Sequence, residues 1–135
     1  MIVMDCSAAV EIVNGTAKGK AFRTLMLDGE KIIASELFRT EIFNAFWKYV
    51  RAGLMETEQA KTFATKAIEL VDEFVPLAEN ASESFSEAVR QSHSVYDMFY
   101  LTLARRNDAT LFTADRKLMK ICEEMGIDCV QEVEI

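Results

Sequence analysis

The chain has one proline and five glycines in 135 residues, and neither clusters into a linker or a repeat. That scarcity excludes a collagen-like or disordered chain and fits one domain spanning residues 1–135. Only three cysteines occur, Cys6, Cys122 and Cys129. An odd number without CxxC spacing argues against a disulfide framework. His93 is the sole histidine, so no Cys/His set suits structural zinc, and Cys6 has no obvious base to make it a nucleophile. No apolar run is long enough to cross a bilayer, and no basic segment precedes the apolar start Ile2-Val3-Met4. The expectation is a soluble, cytoplasmic protein with no membrane partner. Basic excess is also lacking. The formal net charge is −7, which argues against passive binding to nucleic acid unless the acids are gathered at a cation site.

Half of the residues are hydrophobic, enough for a packed core. Short, continuous apolar runs at 2–4, 32–34, 74–75, 110–113 and 129–130 read as strands buried on both faces. Helical patterns occupy 7–13, 17–27, 36–51, 57–72, 82–92, 96–106 and 115–125. Several end at stop signals such as Asn14-Gly15, Gly53, Asn107-Asp108 and Gly126. The alternation predicts an α/β fold with a parallel sheet between helices.

Four acids stand where elements begin or end. Asp5 follows the first strand, Asp115 follows the fourth, Glu41 lies early in one helix and Asp97 opens another. Each aspartate has an ordinary explanation. Asp5 and Asp115 can cap the helices that follow them, and Ser94-Val95-Tyr96-Asp97 fits a capping box. Glu41 shares a helical face with Leu37, Phe38 and Ala45, so it needs a partner, either a Lys or Arg or a cation. The alternative to separate caps is one cluster. Ligands of open parallel sheets bind beyond the carboxyl ends of the strands, where all four acids could meet if strands one and four are neighbours. Clustered carboxylates repel one another, and a divalent ion turns that repulsion into binding.

The segments Ile2-Val3-Met4-Asp5-Cys6-Ser7, Thr40-Glu41-Ile42-Phe43-Asn44-Ala45, Ser94-Val95-Tyr96-Asp97-Met98-Phe99-Tyr100-Leu101-Thr102-Leu103-Ala104 and Leu111-Phe112-Thr113-Ala114-Asp115-Arg116-Lys117-Leu118 resemble the PIN-domain family. Within it the chain is similar to VapC-type toxin ribonucleases. The resemblance implies a three-layer α/β/α sandwich with a central parallel sheet in order 3-2-1-4-5. It also implies an acidic site of Asp5, Glu41, Asp97 and Asp115, catalytic and metal-ligating, with Ser7 and Thr113 supporting the carboxylates. The implied activity is endoribonucleolytic cleavage with Mg²⁺ or Mn²⁺, by a homodimer that a small antitoxin protein inhibits. The sequence departs from the family at Cys6, where threonine is common, and at Lys117, where some relatives carry a further acid.

Arg116 and Lys117 are the nearest candidates to guide RNA to the acids, and Arg39, Lys18, Lys20 and Arg23 could widen the patch; singly, each also fits solvated surface charge. The aromatic stripe Phe38, Phe43, Phe46, Trp47 and Tyr49 reads as core, or as a dimer face where exposed. A haloacid-dehalogenase-like phosphatase would need a second aspartate two residues after Asp5, and Ser7 stands there. A non-catalytic PIN-like module that binds RNA or protein, and a housekeeping RNA-processing nuclease, remain as alternatives.

Overall fold

A computed structural model describes residues 1–131. The chain runs β1 (Ile2–Met4), α1 (Cys6–Asn14), α2 (Ala17–Leu25), β2 (Ile32–Ser35), α3 (Leu37–Arg51), α4 (Thr57–Glu69), β3 (Glu73–Val75), a 3-10 turn (Leu77–Glu79), α5 (Ala81–Gln91), α6 (Val95–Asn107), β4 (Thr110–Phe112) and α7 (Arg116–Met125).

All pairings in the sheet are parallel, in the order β3-β2-β1-β4. β1 is fully buried, flanked in the sheet by β2 and β4, and α6 packs across β1, β2 and β4. Crossovers from β1 to β2 and from β2 to β3 advance in one direction. The crossover from β3 to β4 returns past β1. Right-handed connections therefore place α5 and α6 on the opposite face from the earlier helices, giving three layers. The strand order reverses between β1 and β4, so the switch point lies there.

The expected fifth strand at 129–130 is reduced to an isolated parallel bridge between Cys129 and Leu111. Leu111 accepts from the Val130 amide at 3.1 Å and donates to Asp128 O at 2.9 Å. The bridge extends the order on the β4 side, but it is too short to count as a strand. The helix expected over 57–72 stops at Glu69. Val71 turns into the core, and the Asp72 carboxylate accepts the Ile32 amide at 2.8 Å. This lateral bond to β2 takes the chain out of the helix.

Asn14-Gly15 ends α1, with Gly15 at φ 67°, a conformation that favours glycine. Gly19 serves a different purpose. A Cβ there would lie 1.9 Å from Glu11 O, so only glycine lets α2 pack this closely on α1. Asn80 donates to Thr102 Oγ1 and to Phe99 O, and Ser84 bonds Thr102, which ties α5 to α6 through a buried polar cluster. Buried Glu87 accepts from Arg90 and Arg105, whose guanidinium groups hold its carboxyl below the ordinary value.

Candidate active site at the switch point

Phe112 O accepts the Asp5 amide at 3.0 Å, which clamps the ends of β1 and β4 together just where the two chains diverge into α1 and α7. This brings Asp5 and Asp115 to one edge of the sheet. α3 and α6 add Glu41 and Asp97. All four acids line one open cavity of about 400 Å³, together with Ser7, Asn44, Lys48 and Tyr100.

The capping explanation and the cluster both hold. Asp5 caps α1 through Oδ1, which accepts the Ala8 amide at 2.9 Å and the Ser7 hydroxyl at 2.7 Å. Asp115 caps α7 through its own Oδ1, which accepts the Lys117 and Leu118 amides at 2.9 and 3.3 Å. In both residues the caps use one oxygen of two. The Ser94–Asp97 capping box forms only by half. Ser94 accepts the Tyr96 amide, but the Asp97 carboxylate turns instead to His93, with Nε2 to Oδ2 at 2.7 Å.

Glu41, for which sequence left a Lys, an Arg or a cation open, takes a hydrogen bond from Tyr100, whose hydroxyl donates to Oε1 at 2.5 Å. That partner comes from α6, 59 residues away in sequence. Ser7 and Thr113 both lie beside the carboxylates. Ser7 also accepts the Ala114 amide at 2.8 Å and sits 3.3 Å from Thr113 Oγ1. Thr113 accepts the Asp115 amide at 3.1 Å and hydrogen-bonds the Asp5 carboxyl.

Burial dominates the electrostatics. Asp5 is 4% exposed, and its desolvation pushes the carboxyl up to about 7 against the pull of its hydrogen bonds to Thr113, Ala8 and Ser7. The Asp97 charge adds to the rise. Glu41 is likewise raised by burial, then lowered by Tyr100 and raised by Asp97. Desolvation lifts the Tyr100 hydroxyl too, with the Glu41 charge next, so Tyr100 stays a donor. The Cys6 thiol is pushed up to about 12 by burial and by the Glu41 and Asp5 charges, which rules it out as a thiolate nucleophile.

The donor set suits a hard divalent cation. Four carboxyl groups at one water-accessible cavity supply oxygen ligands, and a cation would relieve the cost of ionising Asp5. Among the described residues, His93, Asp97 and Asp115 form a group of possible ligands whose donor atoms lie within 4.8 Å of one another. Asp5 and Glu41 share the cavity but stand outside that trio.

The cations expected from sequence lie elsewhere. Arg116 and Lys117 are exposed at the start of α7, beside Asp115 but outside the cavity lining. Arg39 pairs with Glu36 at 2.7 Å and lies 4.0 Å over the Phe74 ring. The lysine that does line the cavity is Lys48. Its position seven residues after Glu41, two helical turns along α3, was the available signal. His93 had a comparable one, four residues before Asp97. Of the aromatic stripe, Phe38 and Phe46 are core, whereas Phe43 and Trp47 are about half exposed.

A doubly wound parallel sheet with carboxylates gathered at its switch point defines a class of proteins whose ligand site can accept a divalent cation. The sequence profile of the PIN domain matches residues 2–124, and the chain belongs to the PIN-domain family. It is similar to Ribonuclease VapC12 of Mycobacterium tuberculosis, 30% identical over 118 residues that cover 87% of this chain and 89% of the relative. It is also similar to Ribonuclease VapC3 of Pyrobaculum aerophilum, 26% identical over 122 residues, 87% of this chain and 91% of that one. The fold matches that of VapBC2 from Rickettsia felis, solved bound to a DNA fragment from its promoter. The TM-score is 0.70 at 16% identity, with 98% of this chain and 100% of that chain covered.

Proposed function

We propose that this chain is an endoribonuclease that hydrolyses RNA phosphodiester bonds with Mg²⁺ or Mn²⁺, and that it is the toxin of a toxin-antitoxin pair. The observation that carries the proposal is the meeting of Asp5, Glu41, Asp97 and Asp115, from four separate elements, around one open cavity in a PIN-domain chain. The kinship with two VapC ribonucleases supports RNA as the substrate. The likeness to a VapBC structure supports a small antitoxin as partner, and a homodimer belongs to the same proposal.

Asp5, Asp97, Asp115 and Glu41 would hold the ion. When bound, it supplies Lewis acidity at the phosphate and lowers the pKa of nearby water. The chain's own groups do the rest. Ser7, Thr113 and the Ala8 amide fix the Asp5 carboxylate, so it meets its ligand without reorganising. Tyr100 holds Glu41 toward the cavity, where its carboxylate would complete the ion's shell or orient the attacking water. Lys48 offers a cation to a phosphate oxygen inside the cavity, and Lys117 and Arg116 would meet the backbone at its rim.

Cleavage of a mixed RNA pool by the purified chain tests this. Cleavage should require Mg²⁺ or Mn²⁺, stop in excess chelator, and vanish in Asp97→Asn while circular dichroism shows an intact fold. A folded, ion-loaded chain that leaves all RNA intact would support a non-catalytic PIN-like module instead. Cleavage unchanged in the variant would place the chemistry elsewhere.

A further inference from the structure

His93 is the only histidine in the chain, and the fold delivers it to the acids. Ser92, at φ 50°, closes α5 in the left-handed conformation, and the chain turns there. The His93 amide then bonds Ala88 O at 3.1 Å. Its side chain is 14% exposed, with Nε2 at 2.7 Å from Asp97 Oδ2. It does not line the main cavity; it stands at the margin where Asp97 faces Asp115.

An ordinary ion pair would account for the His93–Asp97 contact alone. It does not account for Asp115, which comes from the far side of β4 and joins the same group within 4.8 Å. Around an octahedral ion with bonds near 2.1 Å, adjacent donors lie about 3 Å apart and opposite donors about 4.2 Å. The trio needs only small side-chain shifts to reach those separations.

We propose that His93 is a direct nitrogen ligand of a divalent cation held between Asp97 and Asp115, and that this ligand makes the site prefer Mn²⁺ to Mg²⁺. The proposal rests on the cation reading of the site given above and adds the ligand and the choice of ion. Mg²⁺ favours all-oxygen shells, whereas Mn²⁺ and later transition ions accept imidazole beside carboxylates.

The test uses the untagged, chelator-treated full chain. Calorimetry with MnCl₂ and with MgCl₂ gives the two affinities. Pulsed electron paramagnetic resonance of the Mn²⁺-loaded chain detects nitrogen bound to the ion. Because there is one histidine, imidazole coupling is assigned without a variant, and ¹⁵N-histidine labelling must change it. The expected result is imidazole coupling and Mn²⁺ binding at least about tenfold tighter than Mg²⁺. His93→Gln, which can still donate a hydrogen bond to Asp97, should lose the coupling and most of the preference for Mn²⁺, with Mg²⁺ affinity little changed.

Mn²⁺ bound at the carboxylates without nitrogen coupling would overturn the proposal and leave the carboxylate site standing, with His93 reduced to positioning Asp97. Equal Mn²⁺ affinity in folded His93→Gln would overturn it too. Uptake of neither ion by the folded chain would overturn the cation reading itself, and this inference with it.

Discussion

Replacing Asp5 with asparagine should stabilise the metal-free chain, and by an amount that depends on pH. Asp5 is buried, and its carboxyl rises from 3.8 to about 7. The folded state therefore binds a proton that the unfolded state releases between those values. The sign follows: stability is lost as pH climbs from about 4 to about 7, then levels off. Three pK units correspond to about 4 kcal/mol at pH 8. Asparagine removes that cost. Its oxygen can still accept from Ser7 and Ala8, but its amide must find an acceptor where Thr113 now donates, a loss of about 1 kcal/mol. The variant and wild type should be near parity at pH 4, with the variant ahead by about 3 kcal/mol at pH 8. For a slope near 2 kcal/mol per molar urea, that is a midpoint shift of about 1.5 M. Urea unfolding in chelator across pH 4 to 8 measures it. Excess Mn²⁺ should stabilise the wild type more than the variant. A wild-type-minus-variant difference that stays flat from pH 4 to 8 would refute the claim that an uncompensated buried charge strains this site.

Tyr100→Phe removes the hydroxyl that lowers the Glu41 carboxyl, so the acid limb of the pH–rate profile should move to higher pH, and stability should fall by about 1–3 kcal/mol. Gly19→Ala puts a methyl against Glu11 O and should lower the urea midpoint by the equivalent of at least about 1–3 kcal/mol, whereas alanine at an exposed site in α4 should have little effect. Lys48→Ala should weaken RNA binding and flatten its salt dependence by about one charge, as read from affinity at several salt concentrations, while Mn²⁺ uptake persists.

Much of the fold was legible because its signals are local. Gly15 and Gly126 mark helix ends in sequence and carry positive φ in the structure. Continuous apolar runs marked β1 and β4 as strands buried on both faces. The errors came where distant contacts decide. Helix α4 ends early because Asp72 bonds an amide on β2, and the strand expected at 129–130 pairs at only one bridge.

The candidate site divides along the same line. The aspartates were visible as acids at element boundaries, and two of them are caps as well as cavity residues, so the two explanations were never exclusive. Glu41 was visible as a carboxylate on an apolar margin, but its partner was not, since Tyr100 reaches it across the fold. Sequence alone gave no direction for Arg39. Its guanidinium leaves for Glu36 and Phe74, while Lys48, two turns further along the helix, faces the cavity.

Anomalous diffraction at the manganese edge, from crystals of the chain grown with MnCl₂, probes the whole account in one experiment. The account predicts a strong peak in the switch-point cavity, within bonding distance of at least two among Asp5, Glu41, Asp97 and Asp115. Well-diffracting crystals with manganese bound only elsewhere, or not at all, would contradict it.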